Sequence, residues 1–347
     1  MIINMDINLL DKSGFRQFIL DVPGQFKAGL QLASGIKVDG DFENITISGM
    51  GGSALPANLL REYCNSLFKK NPDYKPFEIH INRFYSLPPE SYSSKTLNFI
   101  ASYSGNTEET LSSLEEARNA GLTYIGLSSG GKLEELCKKY GAPHIKLPIP
   151  HPNFQPRMGT GYFFGPMFQL LVNQGLVPDA TKGLIESSER LYGKMESLEN
   201  KGIELAKKMV GKTPIIYGSP KHKPVAMVWK IKINENAKTP AFWNFFPELN
   251  HNEMVGFTNP QSKFFVIMLR DLDDDPRNLK RYDITAKLLK DKGTDSEILD
   301  MDGEDVFEKM FTSISLADWA SYYLALEYKQ DPTPVKIVED LKKLLAE

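Results

Sequence analysis

Cysteine is scarce: two in 347 residues. Cys137 falls with Leu133, Leu136 and Tyr140 at helical spacing, which puts it on a core face rather than in a catalytic or disulfide role, and Cys64 is read the same way. Long apolar runs are missing as well. None approaches the ~20 residues that cross a bilayer, and mean hydropathy is −0.32. Nor is there an excess of one charge. Forty-one Lys and Arg against 44 Asp and Glu leave a net charge of −3 with intermixed signs, which gives no long-range field for nucleic acid or an anionic membrane. Any anion is therefore bound locally. The five histidines, His80, His144, His151, His222 and His251, have no close metal-ligand spacing. The start, MIINMDINLLDKSGF, carries acidic residues where a signal peptide would be basic, so a cytoplasmic protein is expected.

What is present is alternation. Ile45–Ser48, Phe77–Ile81, Leu97–Ser102, Tyr124–Leu127 and His144–Leu147 read as strands, with helical patterns between most of them. Two of these patterns stop at Gly121 and Gly141 in the C-terminal capping role. A mostly helical stretch follows from about 159 to 209. Alternation then resumes with Ile215–Gly218, Phe264–Leu269 and Ser296–Met301. Such a pattern implies an α/β protein with parallel sheets covered by helices on both faces. The length exceeds the roughly 250 residues at which single cores stop growing, so two domains are expected. They are drawn as residues 1–155, a mainly helical connection 156–205, and residues 206–347. The acidic run Asp271–Asp275 reads as a solvated turn leading into a helix.

Two strand–helix junctions carry chemistry. Gly49-Met50-Gly51-Gly52-Ser53-Ala54 lets the backbone turn sharply and bring N–H groups close to an oxyanion. It fits neither the dinucleotide fingerprint nor the Gly-Lys-Ser/Thr loop, and taken alone it could be turn geometry. In Ser102-Tyr103-Ser104-Gly105-Asn106-Thr107-Glu108-Glu109-Thr110, the hydroxyls of Ser102, Ser104 and Thr107 can converge with helix N-terminal amides on a phosphate without any basic side chain. The alternative is a plain N-cap, for which one hydroxyl suffices.

The glycine-serine turn followed by Ser-x-Ser-Gly-x-Thr resembles a sugar isomerase (SIS) domain. Pro156-Arg157-Met158-Gly159, Asn234-Glu235-Asn236-Ala237-Lys238-Thr239-Pro240-Ala241-Phe242-Trp243-Asn244, Pro247 to Glu253 and Asp331-Pro332-Thr333-Pro334-Val335 resemble the bifunctional phosphoglucose/phosphomannose isomerases. Asn236 departs from the family, which has a bulky residue such as tyrosine there. The resemblance implies two three-layer αβα domains and interconversion of glucose 6-phosphate or mannose 6-phosphate with fructose 6-phosphate through an enediolate. It also implies a homodimer with shared active sites, and neither metal nor nicotinamide cofactor.

By resemblance, Glu235 is the base, His251 opens the sugar ring from the partner subunit, and Arg157 stabilises the enediolate. Lys342, or its neighbour Lys343, is a second ring-opening group, and Thr333 contacts the C2 region. Gly51, Gly52, Ser53, Ser102, Ser104 and Thr107 hold the phosphate. Read without the family, Glu235 could be a helix-end residue, Arg157 a surface ion-pair partner, Thr333 a turn initiator and the lysines merely solvated. Three rivals remain: an aminosugar-phosphate isomerase, although no cysteine lies near the N-terminus; a zinc-dependent isomerase; and a non-catalytic phosphosugar sensor, which would have no use for Glu235 with His251. The implied activity should survive exhaustive chelation in an isomerase assay. A loss restored specifically by zinc would reverse the enzyme class.

Overall fold

A computed structural model describes residues 7–345. They divide into two compact units: Asp21–Tyr192, and the described residues up to Leu20 together with those from Gly193 onward. These bounds differ from the three segments expected from the sequence. The helical stretch 160–173 belongs with the first unit, and the N-terminal residues belong with the second. The reason is local. Asp11 accepts from the Phe15 and Arg16 amides at 2.5 and 3.0 Å and from the Tyr322 hydroxyl at 3.1 Å, while Arg16 forks onto Glu199 at 2.8 and 2.7 Å.

The first unit is built on five parallel strands, β1 (Asn44–Gly49), β2 (Glu78–Asn82), β3 (Thr96–Ala101), β4 (Tyr124–Ser128) and β5 (His144–Lys146), in the order β2-β1-β3-β4-β5. Every residue of β3 and β4 is buried, as expected of strands covered on both faces. The chain leaves β1 toward one edge and β3 toward the other. Right-handed crossovers therefore put helix Gly51–Lys70 on one face and helices Glu108–Asn119 and Gly131–Tyr140 on the opposite one. Gly121 and Gly141 adopt φ of +65° and +68°, in the capping role read from the sequence. Both cysteines are buried, and burial pushes the Cys137 thiol up to about 11, away from nucleophilic use.

The second unit repeats the plan with β6 (Thr213–Gly218), β7 (Phe242–Phe245), β8 (Phe264–Arg270) and β9 (Asp295–Asp300), all parallel in the order β7-β6-β8-β9. Edge strand β7 is absent from the sequence reading. Its four residues, Phe242 to Phe245, include none of the β-branched residues found in β1, β3 and β8, and they are only partly buried, with Phe242 56% exposed. Asp271 is a correction too: it is fully buried, not solvated. Asp275, by contrast, caps helix Pro276–Asp291 by accepting from the Arg277 amide at 2.8 Å.

Helix Val306–Glu327 is buried at every position from Phe307 to Leu326, so its polar groups need internal partners. Helix Lys223–Ala237 supplies three of them. Trp229 Nε1 donates to Ser313 at 3.0 Å, Lys232 pairs with Asp318 at 2.7 Å, and Asn236 Nδ2 donates to Ser321 at 2.9 Å. The side chains of Lys232 and Asp318 are 2% and 4% exposed. Breaking such a pair leaves a buried charge uncompensated, so Lys232→Met should cost about 3–5 kcal/mol in urea unfolding. Lys232→Met with Asp318→Leu should recover most of it; a cost under about 1 kcal/mol for the single change would refute the pair's importance.

Candidate active site

In an open parallel sheet, ligands bind beyond the strand C-termini where the chain order reverses. In the first unit that point lies between β1 and β3, and both motifs singled out from the sequence sit there. Gly49 ends β1 and helix Gly51–Lys70 starts two residues later. Gly51 takes φ +48°, and a Cβ on Gly52 would lie 2.6 Å from the Arg157 nitrogen. Only glycine permits that approach, which brings Arg157 against the first motif. Arg157 is 1% exposed in the turn Pro156–Met158. Gln25 holds that turn, donating to the Met158 carbonyl at 2.8 Å and accepting from the Gly161 amide at 3.2 Å.

The loop after β3 is fastened on both sides. Ser53 Oγ accepts from the Tyr103 amide at 3.0 Å, which ties the two motifs together. The Ser102 and Thr107 hydroxyls meet at 2.8 Å, and the Asn106 amide donates to Ser104 Oγ at 3.2 Å. Thr107 stands at the N-cap of helix Glu108–Asn119 without making a side-chain cap bond, so the plain N-cap alternative does not describe its hydroxyl.

A third loop, Ser129-Gly130-Gly131-Lys132 after β4, escaped the sequence reading although it too is serine- and glycine-rich at a strand–helix junction. Ser129 Oγ donates to the Tyr103 carbonyl at 2.7 Å, the Leu133 amide to the Gly105 carbonyl at 2.9 Å, and the Lys132 amide to Asn106 Oδ1 at 3.1 Å. Asn106 in turn donates to the Ser104 carbonyl at 3.1 Å. Asn106 and Gln25 are therefore bracing residues that no spacing rule reveals, because their partners are backbone atoms of distant loops.

In the second unit, Glu235 is half-buried in the last turn of helix Lys223–Ala237. The helix ends at Lys238 with φ +56°. The Lys238 ammonium donates to the carbonyls of Glu235 and Pro332, so Glu235 and the segment containing buried Thr333 are brought together. Asn236 points into the helix seam, so its departure from the family is absorbed by a bond to Ser321. His251 is exposed in the turn Glu248–His251 and has a different support. Asn250 donates to Thr285 at 3.0 Å and accepts from Arg281 at 3.1 Å. Glu253 accepts from Tyr217 at 2.6 Å and also from Asn244. Burial, then Glu253, push the Tyr217 hydroxyl far above its ordinary range, so it acts as a neutral donor. Lys342 and Lys343 are exposed on helix Lys336–Leu345, of which no residue is buried. Among the described residues no group of three His, Cys, Asp or Glu could hold a metal ion.

The fold is shared with tagatose-6-phosphate ketose/aldose isomerase from Escherichia coli, which superposes with a TM-score of 0.65 at 13% identity, covering 92% of this chain and 95% of that one. Residues 198–345 match the family model described as the bacterial phospho-glucose isomerase C-terminal SIS domain. A bifunctional phosphoglucose/phosphomannose isomerase from Caldicellulosiruptor bescii is 38% identical over 345 residues, covering 95% of this chain and 98% of the relative. The chain belongs to the bifunctional phosphoglucose/phosphomannose isomerase family. A D-glucosamine-6-phosphate 4-epimerase from Sulfolobus acidocaldarius is 28% identical over 302 residues, covering 87% and 89%.

A Cβ on Gly105, which has φ +69°, would stand 1.8 Å from the Gly130 carbonyl oxygen. Gly105→Ala must therefore push the third loop off the second, and sugar-phosphate affinity should fall roughly tenfold or more, about 1.4 kcal/mol. Unchanged affinity in isothermal titration of a folded variant would separate this loop from phosphate recognition.

Proposed function

We infer that this protein interconverts aldose and ketose sugar phosphates, taking glucose 6-phosphate, mannose 6-phosphate or both to fructose 6-phosphate. The observation that carries this is family membership along nearly the whole chain, joined to a serine-glycine anion cradle at the first switch point. Phosphate binding is assigned to Ser102, Ser104 and Thr107 with the Gly51, Gly52 and Ser53 backbone. Helix N-terminal amides there favour a dianion without a lysine.

The remaining roles follow from the chemistry. His251, with Lys342, is assigned to opening the ring. The Glu235 carboxylate then takes the C2 proton of the open-chain aldose, and the electron pair left behind forms the C1–C2 enediolate. Arg157 is assigned to the negative charge on its oxygens, the kind of contact worth ~10²–10³ in rate. Return of the proton to C1, with the O2 hydroxyl proton passing to O1, gives the ketose. Thr333 is assigned to the C2 region, consistent with its nearness to Glu235 through Lys238. A homodimer is part of the proposal, supported by an apolar stripe on helix Lys336–Leu345, where Ile337, Leu341 and Leu344 are 83%, 55% and 67% exposed. Cytoplasmic location and a place in hexose phosphate metabolism belong to the same reading.

A coupled assay on fructose 6-phosphate, reading glucose 6-phosphate and mannose 6-phosphate separately, tests the reaction. Binding without turnover would leave a sensor. Glu235→Gln keeps shape but removes the base, so turnover should fall by roughly 10²–10⁴ with binding retained. His251→Ala should slow turnover of the closed sugar more than of its open-chain fraction. Mixed dimers of the two variants should regain activity if His251 serves the partner's site. Full activity of Glu235→Gln, or failure of verified hybrids to complement, would remove the corresponding role.

A further inference from the structure

The second unit has a switch point of its own, between β6 and β8, and its residues are arranged differently. Gly218 ends β6 as Gly49 ends β1, and Asp271 is the first residue after β8, the place Ser102 holds after β3. The Asp271 carboxylate is fully buried and both of its oxygens are saturated. Oδ2 accepts from the Lys221 ammonium at 2.5 Å and His222 Nε2 at 2.9 Å; Oδ1 accepts from the Lys309 ammonium at 2.5 Å and the Asp273 amide at 3.1 Å. His222 is wholly buried at the N-cap of helix Lys223–Ala237. Burial opposes its charge, yet His222, Lys221 and Lys309 hold it far below the usual carboxylate range.

We propose that Asp271 is a built-in anion that fills a latent anion site at the second switch point. The first point offers uncharged hydroxyls and amides to an incoming dianion; the second offers two ammonium groups already neutralised by Asp271 and by Asp273, which Lys309 also reaches at 2.5 Å. Four short, charge-assisted bonds to one buried carboxylate cannot be exchanged for a solvated ligand without leaving that carboxylate unpaired. Removing it should have the opposite effect. Lys221 and Lys309 would lose their shared counter-ion, and the same loop carries Ser219, whose carbonyl accepts from the His222 amide at 3.0 Å and whose hydroxyl is buried with no hydrogen-bond partner among the described residues.

The contrast with the first switch point rests on the phosphate-binding role proposed for Ser102–Thr107, and the experiment separates the two ideas. Glucitol 6-phosphate has no carbonyl and cannot be isomerised, so its binding can be titrated calorimetrically. Wild type should take a single equivalent per chain, weakened roughly tenfold or more in Ser104→Ala/Thr107→Val and retained in Asp271→Ser. The Asp271→Ser protein should in addition gain an equivalent of inorganic phosphate that wild type lacks. Two equivalents of glucitol 6-phosphate in wild type would overturn the inference while leaving the first site intact. Loss of the single equivalent in Asp271→Ser, with Ser104→Ala/Thr107→Val unaffected, would overturn both. A folded Asp271→Ser that gains no phosphate would show that Asp271 fills no latent anion site. Should that variant not fold, Asp271→Ala is titrated with inorganic phosphate in its place, and a folded protein that gains none would overturn the inference.

Discussion

The reversal of strand order between β1 and β3 is the constraint from which the first unit's chemistry follows. Because the two strands send their helices to opposite faces, the loops leaving them are not covered by either helix, and their amides face a common crevice. Loops carrying so many polar backbone groups would be mobile unless tied to one another. Here Ser53, Ser129 and Asn106 do the tying, each spending a side-chain oxygen on a bond to the next loop's backbone. The glycines at 52, 105 and 131 are the counterpart: side chains there would meet neighbouring backbone at 2.6, 1.8 and 2.4 Å. A cradle made this way is preorganised, which is what a site built from neutral donors needs in order to hold a dianion.

Much of this was legible in the sequence because burial on both faces leaves a strong mark. Inner strands such as β3 and β8 read as largely apolar runs, and the strand ends expected for them fall within a residue or so of those observed. The loop proposed to bind phosphate also stood out, since three hydroxyls at one strand–helix junction exceed what a cap requires. The bracing shell was not. Gln25 serves a turn more than 130 residues away, and Asn106 answers to the Lys132 amide; neither leaves any periodic trace. Edge strand β7 lacked the burial that writes a strand into sequence. Asp271 misled for another reason: in a run of four acidic residues within five positions, composition says solvent, and only the folded lysines on two other elements reveal which carboxylate turns inward.

The second unit depends on polar contacts inside an otherwise apolar helix pair. Helix Val306–Glu327 has no solvated face to receive Ser313, Asp318 or Ser321, so Trp229, Lys232 and Asn236 fix how helix Lys223–Ala237 is rotated and how far it slides. A buried ion pair of this kind adds little net stability compared with apolar packing, but it penalises every register in which the charges are unpaired. Since Glu235 lies on that helix, its direction is set by the seam. The residue that departs from the family, Asn236, belongs to the seam and leaves the Glu235 carboxyl's own turn to Lys238.

The two switch points also show how one architecture separates binding from structure. Similar strand order yields similar crevices, and fold alone does not say which of them is used. What differs is the state of the donors. Those of the first loop set include hydroxyls and helix-start amides, whereas those of the second are committed to a carboxylate the chain carries itself. A site that begins with paired ions must break them before it can bind, and in a buried setting that cost exceeds what exchanging one anion for another returns. The hydroxyls of Ser102, Ser104 and Thr107 carry no charge, so they need no internal counter-ion of this kind while the proposed site is empty.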